Sequence, residues 1–557
     1  MKQSISPTFS EKLQKQAETA LAFQNAGQLS QAREMYLAIL AERPDFASVS
    51  FNLGLSYYPN RATSGEAIYW FQQALQFQPH HLKARMLLAE SLYWNGEVEA
   101  SLRLIIKTLP ETDPDFFQGW SDSEQLQLRK RQFMAESWLL KCIYALGSFD
   151  DLDFLGALRA WGKRWADPLT PRTEARAEAE PFQLPEPGQP LRVGYFSQEF
   201  GGFSSGFLML PLLAHHNRHD FEFIAFADGH NTSEQTMRYR PYFQTWHDVQ
   251  GLSPEALVAL IRKERISILV DLAGHTHPER LLVFARKPAP VQITGLGFGT
   301  PVAIQAMDGF ISDSHIFPHE LQQALPEAVF YLDTALHWQA PQKPIPLRVK
   351  PPDAPFIFGS ANGLYKLDFP CLALWAEILK RCPEALLWLK AAPLASEISS
   401  QRLIRFFAEA GIHPDRLILQ GITPPGEHLD QFYNGIDLAL DPFPYNGGVT
   451  SCDALWMGVP VLSLNARNRC GASLLTCLNL PEYLAQSPHA YLEKACLAYH
   501  QHMANPKASC LRNLTSKQRL RERLLASPIC QMENYASQVE SAYLKLWQRY
   551  LTQRKSF

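Results

Sequence analysis

Two rhythms of apolar and polar positions divide the chain. Through the first third, small and large residues return at a fixed interval. Gly27-x4-Ala32-x3-Tyr36-x7-Pro44 recurs as Ala67-x3-Phe71-x7-Pro79, a shift of 35 at each of the three shared positions. A looser copy follows as Gly96-x3-Ala100-x3-Leu104-x5-Pro110, shifted by 31 to 33. Small residues at fixed points let paired helices approach closely, a large side chain fills the gap, and Pro closes each unit. A further helical pair, AESWLLKCIYALGSFDDLDFLGALRAWGKRWA at 135–166, ends the array. The stretch 167–190 is then rich in Pro, Glu and Ala with few aliphatic residues, which predicts a linker.

Beyond it the rhythm changes to short apolar runs separated by helix-length amphipathic segments. LRVGYFS (191–197), FEFIAFA (221–227), ISILVDLAG (266–274), PVQITGLG (290–297) and MDGFISD (307–313) form one set. PFIFGSA (355–361), EALLWLK (384–390), DRLILQG (415–421), IDLALD (436–441) and VPVLSL (459–464) form a second. Runs without strict alternation predict parallel strands covered on both faces. The break near 337–354 predicts two doubly wound, Rossmann-like lobes, whose ligands sit beyond the carboxyl ends of the strands. The repeats of the first third resemble the tetratricopeptide repeat (TPR), whose period is about 34 residues. The expected division is therefore a TPR-like array over 1–166, the linker, a first α/β lobe over 191–345 and a second over 352–550.

Composition narrows the function classes. A net charge of -3 over 557 residues offers no electrostatic case for nucleic acid or an anionic membrane surface. The first residues, MKQSISPTFSEKLQKQ, lack the apolar core of a signal peptide, and no apolar run approaches the ~18 to 20 residues that cross a bilayer. Nine cysteines without a C-x-x-C pair argue for reduced thiols in a cytoplasm, against a disulfide framework and against a zinc site.

The second lobe holds the candidate chemistry. IDLALD ends at Asp441, a corner containing Pro442, Pro444, Gly447 and Gly448 follows, and a helix starts near Thr450. A helix start offers unpaired N–H groups and a partial positive charge to an anion. The glycines let a diphosphate approach the backbone, Thr450 and Ser451 add hydroxyls, and Asp453 can accept bonds from a ribose. The alternative is purely structural: Thr450 or Ser451 caps the helix and Asp453 favours its dipole. Lys366, in SANGLYKLD, follows the first strand of the same lobe and can neutralise a leaving diphosphate, or stand as a solvated lysine. Neither G-x-x-x-x-G-K-[ST] nor a G-x-G-x-x-G after the first strand of either lobe is present, so P-loop hydrolysis and ordinary dinucleotide binding lose support. His275, in DLAGHT, can relay an acceptor proton or bond to nearby loop backbone. Glu199 is a weaker carboxylate candidate. His215 and His219 stand four apart but lack a third ligand and a base, while His216 and His230 have no telling spacing.

SANGLYKLD, PPGEHLDQF, DPFPYNGGVTSCDALWMGVPVLSL and NRCGASLLTCLNL resemble, in order and spacing, the protein O-linked N-acetylglucosamine transferases, a family that includes the Spindly-type O-fucosyltransferases. LRVGYFSQEFG, ILVDLAGHT and KPAPVQITGLGFGT of the first lobe match as well, so the resemblance covers roughly 191–550. It implies an α-helical TPR array followed by an α/β GT-B fold. The implied enzyme inverts the anomeric centre and transfers a sugar to Ser or Thr of proteins without a metal or other cofactor. It also implies that Lys366 holds the donor diphosphate, Thr450 contacts phosphate, Asp453 holds the ribose and His428 lines the nucleotide pocket. Arg469, within NRCGASLLT, meets phosphate or pairs at the surface. Three positions depart from the pattern: Phe203 and Gly448 replace histidines, and Pro425 replaces a lysine.

The leading expectation is a cytoplasmic O-glycosyltransferase using UDP-N-acetylglucosamine, with protein acceptors bound along the concave repeat surface. GDP-fucose is the alternative donor, since GGVTSCDALWMGVP reads closer to the Spindly branch; UDP-glucose is another. A different class, a non-catalytic repeat scaffold with decayed transferase lobes, is motivated by Phe203 and Gly448.

Overall fold

A computed structural model describes residues 7–109, 122–171, 182, 184–186, 188–198, 200, 204–229, 234–297, 299–343, 345–424 and 427–555. Compactness does not follow chain order. One unit comprises residues 1–147 and 354–428, the other 148–353 and 429–557.

In the first unit the repeat positions are the inter-helix core. Ala32 and Tyr36 of the helix Leu29–Glu42, and Ala67 and Phe71 of Ser64–Phe77, are fully buried. Gly54 explains the close approach, because a Cβ there would lie 2.7 Å from the Phe71 ring. Gly27 and Gly96 take left-handed φ values of 77° and 82° just after helices end, a conformation that stops a helix without steric cost in glycine. The terminal pair forms as Asp122–Ala145 and Asp151–Trp161, the latter belonging to the second unit and opened by a reciprocal Asp150–Asp153 capping box. Half of the proposed linker lies outside the described residues.

The second unit contains a seven-stranded parallel sheet. Its strands are β1 (Leu191–Ser197), β2 (Phe221–Ala227), β3 (Thr245–Asp248), β4 (Ile268–Asp271), β5 (Val291–Thr294), β6 (Gly309–Ser312) and β7 (Ala328–Tyr331), in the order β3-β2-β1-β4-β5-β6-β7. The five strands expected from apolar runs are all present. The two that no run announced, β3 and β7, lie at the sheet edges, where half-buried TWHD and AVFY need no continuous apolar sequence. The helix Met532–Lys555 covers one face, adding Tyr535, Val539, Tyr543 and Leu546 to the core around Tyr195 and Ile293.

The second set of strands also forms. In the first unit, β8 (Ile357–Ser360), β9 (Leu386–Lys390) and β10 (Leu417–Gln420) pair in parallel. In the second, β11 (Leu438–Leu440) and β12 (Val461–Leu464) do the same, and β13 (Leu484–Ala485), which no apolar run announced, pairs with β12. The chain is thus a helical array with two parallel-sheet, Rossmann-like lobes.

Candidate nucleotide-sugar site

The corner after β11 is organised by one carboxylate. Asp441 is buried at the strand's carboxyl end, and its Oδ1 accepts the Gly447 N–H at 2.7 Å and the Ser451 hydroxyl at 3.3 Å. Its Oδ2 accepts the Ser463 hydroxyl at 2.7 Å, and its carbonyl accepts from Tyr491 at 3.0 Å. The loop therefore folds around a fully engaged anion. Glycine is required at 447, since a Cβ would lie 2.5 Å from Ser451 Oγ, 2.6 Å from Thr450 Oγ1 and 2.9 Å from Asp441 Oδ1.

The helix Val449–Trp456 follows. Gly448 occupies the N-cap and brings no side-chain oxygen to the first turn. Thr450 and Ser451 lie inside that turn rather than capping it, with Ser451 committed to Asp441 and Thr450 partly exposed. The purely structural alternative of a Thr or Ser cap is thus not what forms. A first turn without a side-chain cap, bordered by glycines and a threonine, is suited to an anion.

Asp453 lies one turn on. Trp338 Nε1–H donates to its Oδ1 at 3.1 Å. Burial of the carboxyl pushes its pKa up to about 7, with the Trp338 bond opposing only part of that shift. Tyr433 reaches the same helix, its hydroxyl donating to the Thr450 carbonyl at 2.9 Å.

In the first unit, Lys366 ends the short 3-10 turn Leu364–Lys366 that follows β8, and is half-buried. His428 belongs to a cluster at the end of the next strand. Lys390, the last residue of β9, places its ammonium 2.5 Å from His428 Nδ1 and 2.6 Å from Thr423 Oγ1. The ammonium donates, so His428 accepts through Nδ1 as a neutral ring. Burial, then the Lys390 charge, lowers its pKa to about 4, while burial lowers that of Lys390 to about 8.

The other candidates are engaged elsewhere. His275 is buried, its Nε2–H donating to the Val302 carbonyl at 3.1 Å and its ring edge-on to Trp161 at 4.7 Å between centroids. This is the loop-backbone arrangement. Arg469 takes a left-handed φ of 52° and turns its guanidinium onto both carboxylate oxygens of Asp151. His215 ends its helix, bonding to the Pro211 carbonyl at 2.7 Å, and His219 lies beyond that helix on Asp220, so the two share no helical face. Among the described residues no cluster of three His, Cys, Asp or Glu could hold a metal ion. Phe203, Pro425, Glu199 and His230 lie outside the described residues.

Lys390, Asp441 and Trp338 were missed in the sequence. Lys390 and Asp441 carried a usable signal, a polar residue closing a buried strand at its carboxyl end. Trp338 had none, because its partner is far along the chain.

The model of glycosyl transferase family 41 matches residues 176–339 and 347–539. A probable UDP-N-acetylglucosamine–peptide N-acetylglucosaminyltransferase SPINDLY of Oryza sativa subsp. japonica is 31% identical over 425 residues, covering 74% of this chain and 44% of that protein. The corresponding SEC protein of Arabidopsis thaliana is 30% identical, covering 64% of this chain and 37% of its own length. The chain thus spans less than half the length of these curated relatives. A solved O-GlcNAc transferase of Thermobaculum terrenum, a lysine-to-methionine variant, superposes with a TM-score of 0.82 at 27% identity, covering 99% of this chain and all of the other. The chain belongs to glycosyl transferase family 41.

Proposed function

We propose that this chain transfers N-acetylglucosamine from UDP-N-acetylglucosamine to Ser or Thr side chains of proteins, inverting the anomeric centre. The observation that carries the reading is the first turn of Val449–Trp456, left without a side-chain cap behind a loop that Asp441 folds for it. The activity for which the relatives are named supports the donor. In a single displacement the acceptor hydroxyl attacks the anomeric carbon, the bond to the diphosphate breaks, and the hydroxyl proton passes to water or to the departing diphosphate. Lys366 and the helix start offset the charge that develops on the leaving group. Asp453 takes the ribose hydroxyls and His428 lines the nucleotide pocket. The charge on the diphosphate is met by these groups and not by a metal. Protein acceptors lie along the helical array. The free state of all nine cysteines fits a reducing cytoplasm, and no described helix is long and apolar enough to cross a membrane.

GDP-fucose is the second reading, favoured by Gly448, where a Cβ would meet only Leu336 at 3.7 Å and the base therefore has no side chain from this position to stack on. Calorimetry of the purified chain with UDP and with GDP separates the two donors. Mass spectrometry of a protein acceptor mixture then reads hexosamine or deoxyhexose on Ser and Thr. A chain that binds neither nucleotide and transfers neither sugar is a scaffold, and the reading fails.

A further inference from the structure

The turn that carries Lys366 is gripped on both flanks by the helical array. On the amino-terminal side, the Tyr365 ring stacks on Tyr93 with centroids 5.3 Å apart and planes 19° apart, and meets Trp94 edge-on at 5.1 Å. Tyr93 is buried and braced edge-on by Trp138 at 5.6 Å; Trp94 carries the Arg61 guanidinium on its face at 3.8 Å. Gly96 lies against the same turn, and a Cβ there would come within 2.7 Å of the Leu364 carbonyl oxygen. On the carboxyl-terminal side, Asp368 is buried, and its Oδ2 accepts the Gly147 N–H from the end of the helix Asp122–Ala145 at 3.0 Å. Its other oxygen caps the helix Phe369–Arg381 through the Cys371 N–H at 3.1 Å. A third tie secures the array itself: buried Asn95 accepts the Ser399 hydroxyl at 2.6 Å and, through its carbonyl, an Arg402 N–H at 2.6 Å. Lys366 thus lies between two grips supplied by chain more than 200 residues upstream of it.

We propose that the helical array is part of the donor site, with Tyr365 and Asp368 acting as positioning residues that hold Lys366 where the diphosphate needs it. The inference rests on the reading of Lys366 as the diphosphate lysine. A flexible lysine must be ordered each time it meets its anion, at a cost in side-chain entropy. A turn stacked and hydrogen-bonded on both sides spares much of the backbone part of that ordering. The repeats would then have two jobs, presenting acceptors and setting donor affinity.

The test is a cycle of full-length variants, Tyr365→Ala, Tyr365→Leu, Tyr365→Phe, Lys366→Ala and Tyr365→Ala with Lys366→Ala, titrated calorimetrically with UDP and GDP. Tyr365→Phe keeps the stack and binds like wild type. Tyr365→Ala weakens the nucleotide that binds by about tenfold, and in the double variant adds nothing to the loss caused by Lys366→Ala, because its effect passes through that lysine. Tyr365→Leu fills the space without a ring face and replaces the alanine variant if that one does not fold. Losses that multiply in the double variant overturn the positioning role alone, as does an unaffected Tyr365→Ala beside a weakened Lys366→Ala. Unchanged affinity in Lys366→Ala, or no nucleotide bound by the wild type, overturns the positioning role together with the reading beneath it.

Discussion

The ammonium of Lys390 and the Nδ1 of His428 lie 2.5 Å apart, two basic groups held together across 38 residues of chain. Burial first, and the lysine charge second, keep the imidazole neutral, with a pKa of about 4. Between about pH 4 and the ordinary histidine value of about 6.5, the unfolded chain binds a proton that the folded chain refuses. The site's contribution to stability is therefore complete above that window and falls as pH drops through it. We expect His428→Gln to flatten the acid limb of a stability–pH curve. Lys390→Met should raise the His428 titration seen by NMR, yet leave it below 6.5, because burial remains.

Asp453 shifts the other way. With its pKa raised by burial to about 7, the folded chain holds a proton that the unfolded chain releases from about pH 3.8 upward. The carboxylate thus costs stability progressively across that window and fully above 7. Ribose hydroxyls are better accepted by the ionised form. Nucleotide affinity should rise from about pH 6 to about pH 8, and Asp453→Asn should remove the rise and weaken binding by roughly 1.5–3 kcal/mol. An Asn variant with an unchanged pH profile would exclude Asp453 from the ribose.

Lys366→Ala should lower turnover by orders of magnitude and leave the melting temperature nearly unchanged, since the side chain is only half-buried. Steady-state release of UDP or GDP from the sugar nucleotide measures the first, and calorimetric unfolding the second.

Gly447→Ala forces a methyl group into Ser451, Thr450 and Asp441 at once. Overpacking of this kind costs about 1–3 kcal/mol. The displaced hydroxyls and carboxylate would also spoil the helix start, so nucleotide binding should fall more steeply than stability. Parallel titration and thermal unfolding read the two effects.

Asp437 tests the frame behind the site. It is buried and accepts from Arg512 Nε at 2.7 Å and Nη2 at 3.0 Å, and from Lys350 at 2.7 Å. Removing the carboxylate leaves buried cations without their counter-charge, so Asp437→Ala should destabilise by about 3–5 kcal/mol in denaturant unfolding.

Element type and order were readable because they depend on neighbours in the chain. Helix periodicity placed Ala32, Tyr36, Ala67 and Phe71 in the array core, and unbroken apolar runs announced ten strands. The turns that carry Thr450 and Lys366 were placed the same way, since a turn after a buried strand can be recognised from a dozen consecutive residues. Edge strands β3, β7 and β13 escaped, because half-solvated backbone places little demand on its side chains. What each polar side chain meets was settled by folding. Asp453 finds Trp338 across 115 residues, Arg469 finds Asp151 across 318, and Asp368 finds the Gly147 N–H across 221. A buried charge or donor takes whichever partner the topology delivers, and no local spacing encodes which one that is.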